Sequence, residues 1–163
     1  MFSKKKVEDF SFPDIIKNKT PTFGFSDDTI TDHMRDSGII GSGYTQDETD
    51  CSFFIYDSKN NIPIFSMAFY VLTEEEKSFY NQSMSHGKIV ILDHICTNPK
   101  LRNKGIATYY INELKSLCKT NDVKKILVHP VSDGIEDPNK LSLDQLRYFY
   151  LSFSTNDVLF EII

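Results

Sequence analysis

Six consecutive residues, Arg102-Asn103-Lys104-Gly105-Ile106-Ala107, combine positive charge with small side chains at the fourth and sixth places. Such a loop suits a phosphate. Gly105 can take a positive φ and lets a ligand approach the main chain, while Ala107 keeps the first turn of a following helix uncrowded. The N–H groups at that helix start, with the helix dipole and the charges of Arg102 and Lys104, can hold a pyrophosphate. The competing reading is an ordinary strand-to-helix connection with a glycine at the helix start.

Two elements must position this loop. Residues 89–97 (Ile-Val-Ile-Leu-Asp-His-Ile-Cys-Thr) are rich in β-branched side chains and have the length of a buried strand, which Asn98-Pro99 then ends. From Ile106, apolar residues at 106, 110, 111, 114, 117 and 118 recur at helical spacing and predict a helix to about Lys119.

Strand, Pro, loop and helix in this register resemble the GNAT superfamily of acyl-CoA-dependent N-acyltransferases, whose pyrophosphate loop reads Arg/Gln-x-x-Gly-x-Gly/Ala. Thr97, Pro99 and Arg102 also match the family spacing, a β-branched residue two before a Pro and five before the Arg. The resemblance covers residues 89–153 with readable motifs and the earlier chain by element order. It implies acetyl-CoA as acyl donor and a primary amine of a small molecule or peptide as acceptor. It assigns the pantetheine arm and thioester to the main chain near Ile95, Cys96 and Thr97. The pyrophosphate would fall to Arg102, Asn103, Lys104, Gly105, Ile106, Ala107 and Thr108.

Catalytic candidates follow from the same resemblance. Many relatives place a carboxylate on the central strand to orient or deprotonate the amine, and Asp93 and His94 lie there. Regular alternation sends them to opposite sides, Asp93 with Ile95 and Thr97, His94 with Cys96. Either can serve as base, directly or through water, and either can instead be structural. On the last helix, relatives carry a Tyr followed four and five places later by Gly-Phe, the hydroxyl acting as general acid. Tyr148, Ser152 and Phe153 fit that frame, with Ser in place of Gly, and Tyr150 is the rival about 200° away around the helix.

A chain of 163 residues suits one domain spanning 1–163, with 1–9 flexible. The net charge of −5 argues against a nucleic-acid partner and favours, if anything, a cationic substrate. Cys51, Cys96 and Cys118 are odd in number and sit in apolar contexts, as buried thiols of a reducing compartment do. His33, His86, His94 and His129 show no metal-ligand spacing, so no metal site is expected. No apolar run of signal-peptide or membrane-span length occurs, and the expectation is a cytoplasmic protein without membrane contact, monomeric or homodimeric.

The remaining elements read in order. Either 10–12 or 22–25 makes a first edge strand, and 27–37 a helix before the glycine-rich 41–44, a candidate mobile segment near the acceptor. A hairpin follows, 51–56 and 62–72 around the polar turn 57–61, then a short helix or loop over 74–84. After the pyrophosphate helix come a strand at 126–129 pairing parallel to the central strand, a helix over 141–151 and a strand at 158–163. The sum is an α/β (mixed α+β) GNAT-like fold: a mixed, mostly antiparallel sheet, a splayed parallel pair, and helices on both faces. Only ten residues follow Phe153, too few for the two closing strands many relatives possess, which leaves the acceptor side more open and an edge available for dimerisation. Two other functions compete. One is a CoA-binding sensor of the same fold without turnover. The other is a nucleotide-phosphate site, which lacks the Gly-x-x-x-x-Gly-Lys-Ser/Thr pattern.

Overall fold

The computed structural model describes residues 7–25, 31–40, 50–131 and 137–163. Six strands form one sheet in sequence order: β1 (Pro21–Gly24), β2 (Asp50–Asp57), β3 (Ile62–Val71), β4 (Lys88–Thr97), β5 (Val123–Val128) and β6 (Leu159–Ile162). The first three pairings are antiparallel and the last two parallel, because helices carry the chain back across the sheet after β4 and β5. The helices are α1 (Asp32–Asp36), α2 (Glu74–Phe79), α3 (Ile106–Thr120) and α4 (Leu143–Leu151). The mixed sheet expected from the sequence, antiparallel first and parallel after β4, is what forms.

The main core lies on one face of this sheet. Phe53, Phe65, Met67 and Phe69 from the hairpin and Val90 and Leu92 from β4 meet Ile106, Tyr110, Ile111 and Leu114 of α3. Tyr110 stacks on Phe65 with ring centroids 4.8 Å apart, and its hydroxyl donates to the Ser11 carbonyl at 3.3 Å. On the other face, Met34 of α1 packs on Phe54, and Tyr80, just past α2, joins Tyr70, Ile89, Ile91 and Leu127. Helices therefore cover both faces, as the runs of consecutive buried residues along β3 and β4 require.

Several boundaries differ from the sequence reading. Residues 10–12 pack as irregular chain, Phe10 in the core, and the edge strand is β1. There Gly24 lies under the Phe54 ring, where a Cβ would come within 2.1 Å of Cζ. Val7, within the stretch expected to be loose, is fully buried. β5 begins at Val123, before the Lys124-Lys125 pair that reads as a polar lead-in. The segment 41–44, residues 27–30 of the first predicted helix, and the Asp133-Gly134 turn lie outside the described residues.

One irregularity governs the site. Ala68 pairs with His94 but Phe69 with Leu92, so Asp93 is an extra residue, a β-bulge in β4. The bulge shifts the alternation: Val90 and Leu92 face the main core before it, and Ile95 after it. Beyond Leu92, β4 runs on to Thr97 without a partner on β5, whose ladder with it spans Lys88 to Leu92. β5 ends at Val128, and a cleft opens beside the end of β4 that runs past it.

At the far side, β6 lies directly against β5 in parallel, Lys125 opposite Leu159 and Val128 opposite Ile162. β6, four residues long, is the last strand among the described residues.

Candidate functional site

The cleft has a volume of about 530 Å³. Its lining joins Ile95, Cys96 and Thr97 of β4 to Arg102, Asn103, Gly105, Ile106, Ala107 and Thr108 of the loop and α3 start, with Tyr150 and Phe149 of α4 across from them. Of the ten residues assigned to the donor from the sequence, Lys104 alone does not line it.

The loop has the geometry an anion needs. Asn103 and Gly105 both take positive φ, 59° and 81°, and a Cβ on Gly105 would meet nothing within 4 Å. The first helical bond of α3 runs from the Tyr109 N–H to the Gly105 carbonyl at 2.9 Å. Among the described residues, no protein acceptor takes the backbone N–H of any residue from 103 to 108. Amides gathered at the start of a fifteen-residue helix, with the dipole behind them, make a concavity for negative charge.

Arg102 lines the cleft with its side chain engaged by protein partners. Its Nη1 donates to Asp137 Oδ2 at 2.9 Å and its Nε to the Thr97 carbonyl at 3.3 Å. The two side chains are 12% and 7% exposed, so this ion pair is largely withdrawn from water. Asp137 Oδ1 in turn accepts from the Asn139 N–H at 2.9 Å, and Asn103 Nδ2 donates to the Asn139 carbonyl at 3.5 Å. Residues 137–141 thereby become the outer wall of the cleft, where Asn139, Lys140 and Leu141 line it. As a sequence, Asp137-Pro138 reads as a turn signal. Nothing local marks Asp137 as the partner of a residue thirty-five positions earlier.

The two tyrosines of α4 separate cleanly. Tyr150 is 4% exposed and lines the cleft, while Tyr148 is 77% exposed and does not. The orientation expected of Tyr148 is thus taken by its rival, because the apolar face of α4 that packs on the core includes Leu146, Phe149, Tyr150 and Phe153 just beyond the helix. Burial, with a smaller contribution from the Cys96 thiol, pushes the Tyr150 phenol above its ordinary range. The hydroxyl therefore keeps its proton. No hydrogen bond occupies it among the described residues.

Asp93 and His94 lie off the cleft lining, and the bulge changes their relation. His94 Nε2 is 2.9 Å from Ser66 Oγ and 3.3 Å from the Ile39 carbonyl. Asp93 is exposed and close enough to Tyr70 that its carboxylate adds to the burial and the Tyr80 hydrogen bond that raise that phenol. Ser66 and Tyr70 share the face of β3 turned away from the main core, so Asp93 and His94 lie toward one face and not opposite ones. Among the described residues, no cluster of three His, Cys, Asp or Glu could hold a metal ion, and no helix is long and apolar enough to cross a membrane.

No family model matches the chain, and no curated protein matches it in sequence. Among the solved structures similar to it are two acetyltransferases. One is a ribosomal-protein-alanine N-acetyltransferase from Brucella melitensis biovar Abortus 2308, with a TM-score of 0.43 and 18% identity over 68% of this chain. The match spans 64% of that structure's length. The other is an aminoglycoside acetyltransferase from an uncultured soil metagenomic sample, in complex with sisomicin. It has a TM-score of 0.43 and 15% identity, over 96% of this chain and 78% of that one.

Proposed function

We propose that this protein is an N-acyltransferase that moves an acetyl group from acetyl-CoA to a primary amine of a small molecule or peptide. The observation that carries the reading is the row of backbone N–H groups from 103 to 108, for which no acceptor occurs among the described residues, beside a cleft at the end of β4 that runs past β5. A diphosphate satisfies those donors, and the length of the cleft toward Ile95 and Tyr150 suits the arm that follows it.

Each chemical step then has a residue. Main-chain groups of β4 near Ile95, Cys96 and Thr97, past the end of the ladder with β5 at Leu92, orient the thioester and offer an N–H to the developing oxyanion. The amine nitrogen attacks the thioester carbonyl, the C–S bond breaks, and the leaving thiolate takes the proton of Tyr150. A buried phenol that stays protonated suits that donation. The amine's own proton goes to Asp93 or His94 through water, and the exposure of Asp93 favours it over His94, whose Nε2 is already engaged by Ser66. A reducing, cytoplasmic setting fits three cysteines that form no disulfide.

A second reading keeps the donor site and drops the turnover: a protein that binds acyl-CoA and signals its presence. The distance of Asp93 and His94 from the cleft lining is what favours it. Titration with acetyl-CoA, followed by thiol release against a panel of amines, separates the two. Saturation at a hundred times the dissociation constant adds about 2.7 kcal/mol of stability, readily seen as a rise in Tm. Binding with amine-dependent thiol release supports the enzyme, binding without release the sensor. No binding of any acyl-CoA removes both.

A further inference from the structure

We infer that Asp137 is a specificity-determining residue of the cleft, a carboxylate that competes with an incoming diphosphate for the guanidinium of Arg102. The inference rests on the donor site proposed above and concerns how tightly that site holds its phosphates.

The loop presents one cation to the cleft lining, Arg102, and the structure has already committed it. Its Nη1 lies 2.9 Å from Asp137 Oδ2, with both side chains nearly withdrawn from solvent. At that separation and burial the pair is close to electrically neutral when seen from the cleft, and Lys104 does not line it. Within the loop, the amides of residues 103–108 are left to attract the anion with the helix dipole behind them, and Lys140 on the outer wall is the other positive charge at the lining.

Asp137 is held to its task from both oxygens. Oδ2 takes Arg102 and Oδ1 takes the Asn139 N–H, and Asn139 carries on to Asn103 inside the loop. The carboxylate therefore stands one guanidinium away from the amide cradle, on the wall a diphosphate would pass. A phosphate that reaches for the Arg102 fork must displace it or share with it, since charge-assisted bonds to arginine use the same donors. The consequence is selectivity: a ligand gains from this site through its amide-bound phosphate, and added negative charge gains little from Arg102 while Asp137 holds it.

Asp137→Asn tests this. The amide keeps an oxygen for the Asn139 N–H and the shape of the side chain, and removes the charge that neutralises Arg102. Affinities of CoA, pantetheine and inorganic pyrophosphate are measured by calorimetry on the folded full chain. The expected result is about a tenfold gain for CoA and pyrophosphate in D137N, none for pantetheine, and a gain that shrinks as salt is raised. In an Arg102→Gln background the same substitution should bring no gain, which keeps the test informative if D137N alone loses some stability. Equal or weaker pyrophosphate binding in D137N overturns the inference, as does a matching change for pantetheine. The function reading fails separately: it falls if wild-type protein binds no CoA, while a pyrophosphate gain in D137N would leave the competition standing.

Discussion

Tyr148 and Tyr150 stand two residues apart on α4 and meet opposite surroundings, 77% and 4% exposed. About 200° of helical rotation separates them, so the cleft can receive one only. Replacing Tyr150 with Phe should lower kcat about a hundredfold while changing the dissociation constant of acetyl-CoA little, because the lost hydroxyl acts on the leaving thiolate. Tyr148→Phe should match wild type in both. Steady-state kinetics alongside calorimetry decide it, and equal losses in the two variants would take the acid role from Tyr150.

Gly105 carries a φ of 81° with open space where a Cβ would point. An alanine there meets no steric wall, yet it must hold the left-handed conformation, at a cost of about 1 to 2 kcal/mol. Urea unfolding of Gly105→Ala should show that loss. The methyl group would also stand where a diphosphate approaches the amides, so acetyl-CoA affinity should fall beyond what the stability change explains.

At the hairpin turn, the Thr20 hydroxyl at 2.6 Å, the Asn60 amide at 2.8 Å and the Lys59 N–H at 2.9 Å hold the Asp57 carboxyl below the usual carboxylate range. A lowered folded value means the stabilisation is complete above the unfolded value of about 3.9 and is lost as pH falls through the folded one. Urea midpoints followed from about pH 6 to about pH 2 should decline less steeply in Asp57→Asn than in wild type. A parallel decline in both would mean that these bonds do not favour the ionised form.

Cysteine labelling offers an independent view of the cleft. Burial pushes the Cys118 thiol up to about 12, and it sits in the main core, so it should resist alkylation until the protein unfolds. Cys96 lines the cleft and should react before Cys118, more slowly when acetyl-CoA is present. Mass spectrometry of partially alkylated protein gives the order; labelling of Cys96 indifferent to acetyl-CoA would place the donor elsewhere.

The elements and the anion loop were legible in the sequence because their signals are local. The apolar period from Ile106 gave α3 to within one residue of its end, and Thr73 and Ser142, each with Glu or Gln three places on, cap α2 and α4 by reciprocal bonds. What escaped depends on contacts distant in sequence. No periodicity announces the bulge at Asp93, which exists because β3 and β4 must keep Phe69 and Leu92 in the core and also pair Phe65 with Thr97. The phase of α4 was similarly open: Tyr148 and Tyr150 both fit a helical pattern, and the packing of Phe149 and Phe153 decides between them. Arg102 looked like a phosphate ligand because its type and spacing said so, and Asp137 arrives only through the fold.

The additional residue in β4 amounts to a phase setting for everything downstream of it on that strand. Pairing every residue of β4 in turn, with no bulge at Asp93, would leave a regular ladder and a tidier strand, with Ile95 and Thr97 turned to the opposite face. The main-chain groups that now look into the cleft would be exchanged for their neighbours, and a protein of undiminished regularity would present a scrambled seat for its ligand.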